Sequence, residues 1–299
     1  MGQALVKELL SNHSPGKVIV YSRDECKQIE MSRSIKDKNN LIRYFLGDIR
    51  DKERLYRAFH GVDIVIHAAA LKHIDKCEYD PSEAIKTNIL GAQNIVEAAI
   101  DQRVKQVLAI STDKAVNPIC LYGAAKLCAD KLFVAANSYS GQYGTKFAVV
   151  RFGNFIGSRG SVIPYWEKLR DEGKSVLPIT SLEMTRYWIE IEEAARFTLE
   201  SLRNMHGGEI FVPKMKATKL IDIAMEIHPK AQLVEVGLRP GEKLHEDLIN
   251  RYDATKTWET DKCYITYPSS NVKGHGTRVK KGFEYTSQEN TAWTIKKSS

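Results

Sequence analysis

Five short apolar runs alternate with helical patterns along the first half of the chain. They are KVIVYS from Lys17, IRYFLGD from Ile42, VDIVIHAAA from Val62, KQVLAIST from Lys105 and KFAVVRFGN from Lys146. Each has the length and β-branched content of a strand buried on both faces. The clearest intervening helix is DPSEAIKTNILGAQNIVEAAIDQ, with Asp80 placed to cap it, Pro81 in its first turn, and Ala84, Ile85, Ile89, Ala92, Ile95, Val96 and Ala99 along one face. Strand–helix alternation of this kind predicts an α/β fold, a Rossmann-like, doubly wound parallel sheet with helices on both sides.

The opening MGQALVKELLSNH reads as an amphipathic helix that runs through Ser14-Pro15-Gly16 into the first of those strands. That is the second half of a βαβ unit. In its dinucleotide-binding form, a strand and a glycine-rich turn come first, so that N–H groups at the helix N-terminus hold a pyrophosphate. Only Gly2 could belong to such a turn, and the sheet is expected to lack its first, central strand. Weak cofactor binding and low stability are the expected consequences.

A chain of 299 residues, 43% hydrophobic and 27% charged, can build one large domain or two modest ones. The strand–helix rhythm loosens after residue 150. We therefore expect a nucleotide-binding domain over 1–153, with segments near 180–212 returning to it, and a smaller, mainly substrate-binding domain over 154–299. No run is long and apolar enough for a spanning helix and no secretory signal opens the chain, so the expected setting is cytoplasmic. The five cysteines include no C-x-x-C pair and none lies near histidines at zinc spacing, which favours reduced thiols and no metal. A net charge of +7 could serve nucleic acid, but bases and acids are interspersed without an aromatic-basic stripe. A phosphorylated small molecule suits that pattern better.

The stretch AISTDKAVNPICLYGAAKLCADKLF carries the chemistry. A strand ends near Ser111-Thr112, a loop carries Asn117-Pro118, and a helix carries Tyr122 and Lys126 at i and i+4, on one face. There the lysine ammonium could lower the phenol towards a working value and make it a base for an alcohol. Asp113 and Lys114 follow Thr112 directly. Neighbours on a regular strand face opposite ways, so both reach one substrate only if the strand has ended by Asp113.

These residues, with YSRDECKQ, GDIRDKERL, HAAALKHIDKCEYDPSEAIKTNILGAQN, RFGNFIGSRGSVIPYW, MTRYWI, RPGEKLHE and FEYTSQENTAWTI, resemble the extended short-chain dehydrogenase/reductase family over nearly the whole chain. Within it they are most similar to the inverting UDP-N-acetylglucosamine 4,6-dehydratases. The resemblance implies that Tyr122, assisted by Lys126, takes the proton of the sugar C4 hydroxyl while hydride passes to a nicotinamide. Asp113 would then act as acid at C6 and Lys114 as base at C5, where retaining relatives carry Asp-Glu, and return of the hydride to C6 would complete a carbon-oxygen lyase reaction. Lys114 would have to be partly neutral and Asp113 partly protonated.

The same resemblance implies NADP as cofactor, with Ser22, Arg23 and Lys27 around its 2′-phosphate, Asp48 and Ile49 framing the adenine, and Ala68, Ala69 and Ala70 close to its backbone. Charge alone is equivocal there, because Asp24 and Glu25 follow at once. Three alanines could equally be core packing, and Asn88 a satisfied core amide or a site residue. Arg186, Arg239 and Glu242, with Lys72, Asn154, Ser161, Val162 and Thr185, are the candidates for the UDP-sugar. A homo-oligomer, dimer or higher, is expected, without nucleic acid or membrane insertion. The product would feed surface polysaccharide or nonulosonic acid synthesis, pseudaminic acid among them. A nucleotide-sugar 4-epimerase shares Tyr122 and Lys126 but needs no elimination pair, and an inactive binding relative is the remaining alternative.

Overall fold

The computed structural model describes residues 1–158 and 160–290; Arg159 and the end of the tail motif at 291–295 lie outside the described residues. The chain begins with α1 (Gly2–Asn12), β1 (Val18–Ser22), α2 (Glu25–Ser34), β2 (Ile42–Leu46), α3 (Lys52–Phe59) and β3 (Ile64–His67). Two short helices, α4 (Ile74–Tyr79) and α5 (Pro81–Ile85), lead through a π-helical turn at Lys86–Leu90 into α6 (Gly91–Asp101). Asp80 does occupy the N-cap of α5, but its side chain makes no capping hydrogen bond.

The middle of the chain holds β4 (Gln106–Thr112), a 3₁₀ turn at Asp113–Ala115, α7 (Leu121–Tyr139), β5 (Lys146–Phe152), β6 (Asn154–Phe155) and α8 (Val162–Asp171). It continues with β7 (Val176–Ile179), β8 (Thr185–Ile189), α9 (Ile191–Asn204), β9 (Ile210–Pro213), β10 (Lys216–Lys219), α10 (Leu220–Ile227) and β11 (Gln232–Glu235). Last come β12 (Asp247–Ile249), α11 (Arg251–Ala254), β13 (Thr257–Glu259), β14 (Cys263–Thr266), β15 (Thr277–Arg278) and β16 (Tyr285–Thr286).

The main sheet has seven strands in the order β15-β13-β14-β9-β5-β4-β3, parallel from β9 to β3 and antiparallel beyond. Its centre is the near-continuous apolar run of β4 and β5: Val107, Leu108, Val149 and Val150 are fully buried, as expected of strands covered on both faces. Phe133 of α7 packs there against Phe147. Arg151 lies inside this core, its charge met by Asp130 of α7 and Asp253 of α11, each at 3.3 Å, because a buried guanidinium needs carboxylate partners.

The strands β1 and β2 form a separate parallel pair in register Val18 to Ile42. Among the described residues no strand joins the free edge of β1 or of β3. This flank has its own small core of Val6, Val18, Met31, Ile35 and Ile42. Helix α1 ties it to the rest, with Leu5 packed on Ala195 and Leu199 of α9 while Val6 faces the flank.

The second half differs from the division at residue 153. Beyond the return near 180–212, which includes α9 and β9, strands β13 to β15 also extend the main sheet. The smaller body consists of α8, α10, the β7-β11 pair and the sheet β10-β8-β6, around Trp166, Leu177, Ile179, Trp188 and Ile223. Among the described residues no helix is long and apolar enough to cross a membrane.

Candidate active site

Strand β4 stops at Thr112, and the chain turns at once into the 3₁₀ turn of Asp113–Ala115. That early end satisfies the condition set by strand alternation. The Thr112 hydroxyl donates to Asp113 Oδ1 at 2.8 Å, and Lys114 Nζ reaches the same oxygen at 3.0 Å. Tyr122 enters from the first turn of α7 and shares a hydrogen bond with Thr112. Close approach of α7 depends on Gly123, where a Cβ would stand 2.2 Å from the Lys114 carbonyl oxygen. Thr112, Asp113, Lys114 and Tyr122 thus form one corner.

The electrostatics run against two expectations. Burial pushes the Tyr122 phenol up to about 12, and the groups that pull it back are Lys114 and the Thr112 hydrogen bond. Lys126 instead donates to the Ile110 carbonyl at 2.8 Å, and burial lowers its own ionisation. Burial also works against the Lys114 ammonium, but the carboxylates of Asp113 and Glu246 outweigh it and hold that ammonium well above the ordinary lysine range. Lys114 is therefore a charged ammonium in this arrangement rather than partly neutral. Glu246, within the RPGEKLHE segment, lies 3.2 Å from Lys114 Nζ. Sequence reasoning passed over it because its burial and its partner are created only by tertiary packing. His67, at the end of β3, was also missed: its ring lies tilted against that of Phe133, centroids 5.6 Å apart, and burial with nearby Lys126 pushes it down to about 3.

Along the ends of β1 to β3 the structure gathers the expected cofactor residues. Arg23 and Lys27 are exposed cations, the first 3.2 Å from Asp48 and the second 2.7 Å from Asp24. Ser22 accepts from the Asp24 N–H, and Ile49 is buried against Gly91. Ala68, Ala69 and Ala70 are exposed, which removes core packing as their explanation. Gly2 opens α1 with free space where a Cβ would be. Burial, and after it the charge of Lys27, lowers the ionisation of Lys72. For Asn88 the first of the two alternatives holds: in the π-helical turn it both donates to and accepts from the Leu71 backbone at 2.8 Å, so it fixes the loop after β3 as a satisfied amide.

On the substrate side, Asn154 of β6 accepts from Lys114 at 3.5 Å. Ser161 precedes α8, which Val162 begins, and its buried hydroxyl has no hydrogen-bond partner among the described residues. Two arginines differ from the expectation of free diphosphate ligands. Arg186 is buried and donates to the carbonyls of Thr185, Lys243 and Leu244, because β8 carries it against the backbone of 243–244. Arg239 pairs with Glu242 on its own loop. Thr185 is likewise engaged, at 2.7 Å from both His245 and Ser287. Among the described residues no group of three or more His, Cys, Asp or Glu side chains is placed to hold a metal ion.

Residues 1–268 match the family described as polysaccharide biosynthesis protein. The chain belongs to that family. It is 48% identical to the inverting UDP-N-acetylglucosamine 4,6-dehydratase of Campylobacter jejuni strain 81-176 over 308 aligned residues, 99% of this chain and 92% of that one. Pen from Bacillus thuringiensis, a solved structure, is 36% identical with a TM-score of 0.89 over 97% of this chain and 91% of its own. A UDP-glucose 4-epimerase of Rickettsia conorii is 38% identical over 80% of this chain and 71% of its own. The chain is thus an extended short-chain dehydrogenase/reductase with the Rossmann-like fold expected of it. Both dehydratases and an epimerase stand among the family's relatives of this chain, so the fold alone does not choose between the two reactions.

Proposed function

We propose that the protein dehydrates UDP-N-acetylglucosamine at C4–C6 with inversion at C5, using NADP as a recycled hydride carrier. The observation that supports this most is the corner at the end of β4, where an acid and an amine lie beside the Tyr122 phenol and Thr112 hydroxyl. A 4-epimerase needs no such acid–amine pair.

NADP would supply a hydride acceptor for C4 and a hydride donor for C6. The residues suited to hold it are the exposed Arg23 and Lys27 for a 2′-phosphate, Asp48 and Ile49 beside the adenine, and the open Ala68–Ala70 edge for its backbone. Tyr122 accepts the C4 hydroxyl proton while the Thr112 hydroxyl and the Lys114 charge steady the phenolate. The 4-ketone so formed acidifies H5. Lys114 must then pass its proton to Asp113, 3.0 Å away, and as the neutral amine take H5, while Asp113 delivers that proton to the departing C6 hydroxyl, which leaves as water. Reprotonation of C5 from the opposite face inverts that centre, and the net change is loss of one water. Asn154, Ser161, Val162 and Lys72 border the sugar and phosphates, with the Arg239-Glu242 loop towards the nucleoside. Arg186 supports that wall from behind.

Incubation with UDP-N-acetylglucosamine and NADP, followed by mass spectrometry and NMR, tests the reading. The expected product has lost one water and is a 4-keto-6-deoxy sugar of L-arabino configuration. An isomer of unchanged mass would instead identify an epimerase.

A further inference from the structure

Lys114 does not stand on Asp113 alone. Its ammonium lies between two buried carboxylates, Asp113 Oδ1 at 3.0 Å and Glu246 Oε1 at 3.2 Å. Neither acid is more than 2% exposed, and the second oxygen of each has no hydrogen-bond partner among the described residues. The backbone at Glu246 is clamped on both sides by Ser287, whose hydroxyl accepts from the Glu246 N–H at 2.9 Å and whose N–H donates to the Glu246 carbonyl at 2.8 Å. Such a clamp fixes the backbone from which the carboxylate reaches Lys114. Leaving a buried acid unpaired costs several kcal/mol on the order of magnitude known for such groups, so an idle Glu246 would be a liability.

We propose that Glu246 is a positioning residue that holds Lys114 opposite Asp113 and controls when its amine is free to act as a base. This rests on the reading of Lys114 as the base at C5. The other charged or titratable groups facing the pair are few. Arg186 of β8 opposes the ammonium, Tyr122 of α7 and Cys120 at its cap sense it, and Lys243 Nζ stands 3.7 Å from Glu246 Oε2. Lys243 is itself held by the Val116 carbonyl at 2.6 Å and lies 3.7 Å from Asp247. Of these, the only carboxylate on the Lys114 ammonium besides its neighbour Asp113 is Glu246. Removing its charge leaves burial and Arg186 acting to release the proton against Asp113 alone.

The test is the pH dependence of kcat/KM for dehydration. The wild type and Lys114→Ala come first. If Lys114→Ala keeps wild-type dehydration, the base assignment itself fails, and the Glu246 inference with it. If Lys114→Ala is inactive, Glu246→Gln decides, because it keeps the shape and an acceptor but not the charge. The acid limb of its profile should move to lower pH by about one unit or more, with Glu246→Asp returning it towards the wild-type position. A merely structural role would lower the plateau and leave the limb in place, and that result overturns the proposal while leaving the base assignment intact. Should Glu246→Gln not fold, Lys243→Met decides. Loss of that cation strengthens the hold of Glu246 on Lys114, so the limb should move to higher pH, and an unmoved or lowered limb overturns the proposal.

Discussion

Two strands drawn from one repeating pattern have different fates. The strand β4 is paired on both edges, with β3 and β5, and four of its seven residues, Val107 to Ile110, pack into or against the central cores. The strand β1 is paired only with β2, and of its five residues Val18 alone is buried. Sequence pattern sets both as strands, but neighbours on both edges decide whether a strand becomes a rigid mount. The acid–amine corner grows from the end of β4, where displacement of a group by about 1 Å can cost 100-fold in rate. The cations proposed for the cofactor phosphate stand on the lighter β1–α2 flank, where contacts to a long ligand add up over a wide area.

If that division holds, substitutions at the two ends differ in kind. Lys114→Ala should lower turnover by about 10³-fold or more, in the range of lost acid–base groups, and leave NADP affinity near wild type by fluorescence titration. Retained turnover would break the comparison at its strongest point.

Stability gives the next contrast. Phe133→Ala, at a fully buried position of α7, should cost about 3–5 kcal/mol, whereas Met31→Ala in the small flank core should cost about 2 kcal/mol, at the low end for such truncations. Denaturant unfolding reads both. Equal losses would mean that the flank is as tightly built as the centre.

A third effect is confined to the β3–α7 side and depends on pH. His67 is held neutral inside the fold, down to about 3, while in the unfolded chain it titrates near 6.5. Below pH 6.5 the unfolded state binds the extra proton, so this contribution is complete above that pH and is lost as pH falls towards 3, by roughly 1.4 kcal/mol per unit. His67→Phe should flatten the acid limb of stability measured by thermal melts between pH 7 and 4. An unchanged slope would remove His67 from the account.

The smallest effect belongs to the flank. Arg23→Ala should raise the KM for NADP about 10-fold, as expected for one lost charge-assisted contact, with little change for NAD or in kcat. A loss in kcat instead would tie the flank to the chemistry.

Local signals in the chain were enough to read the strands, the early end of β4 and the Tyr122–Asp113–Lys114 constellation, because these rest on apolar runs, turn residues and contiguous motifs. What escaped depends on distant segments. Glu246 acquires its role only when the segment before β12 is laid beside β4. Arg186 and Thr185 looked available as isolated polar residues, yet folding presents them with carbonyls and hydroxyls from 243–245 and Ser287. Asn88 sits on an apolar helix stripe, and only the π-helical turn and the loop at Leu71 reveal what satisfies it. Strands β13 to β15 are too short and too mixed in character for their return to the main sheet to be read from pattern.

The central claim is that the corner at the end of β4 opens C5 and recloses it from the other face. Proton NMR of the product formed from UDP-N-acetylglucosamine in heavy water tests it most directly. The account predicts a 4-keto-6-deoxy sugar with solvent deuterium at C5 and inverted configuration there. A product that keeps its original hydrogen and configuration at C5 would contradict it.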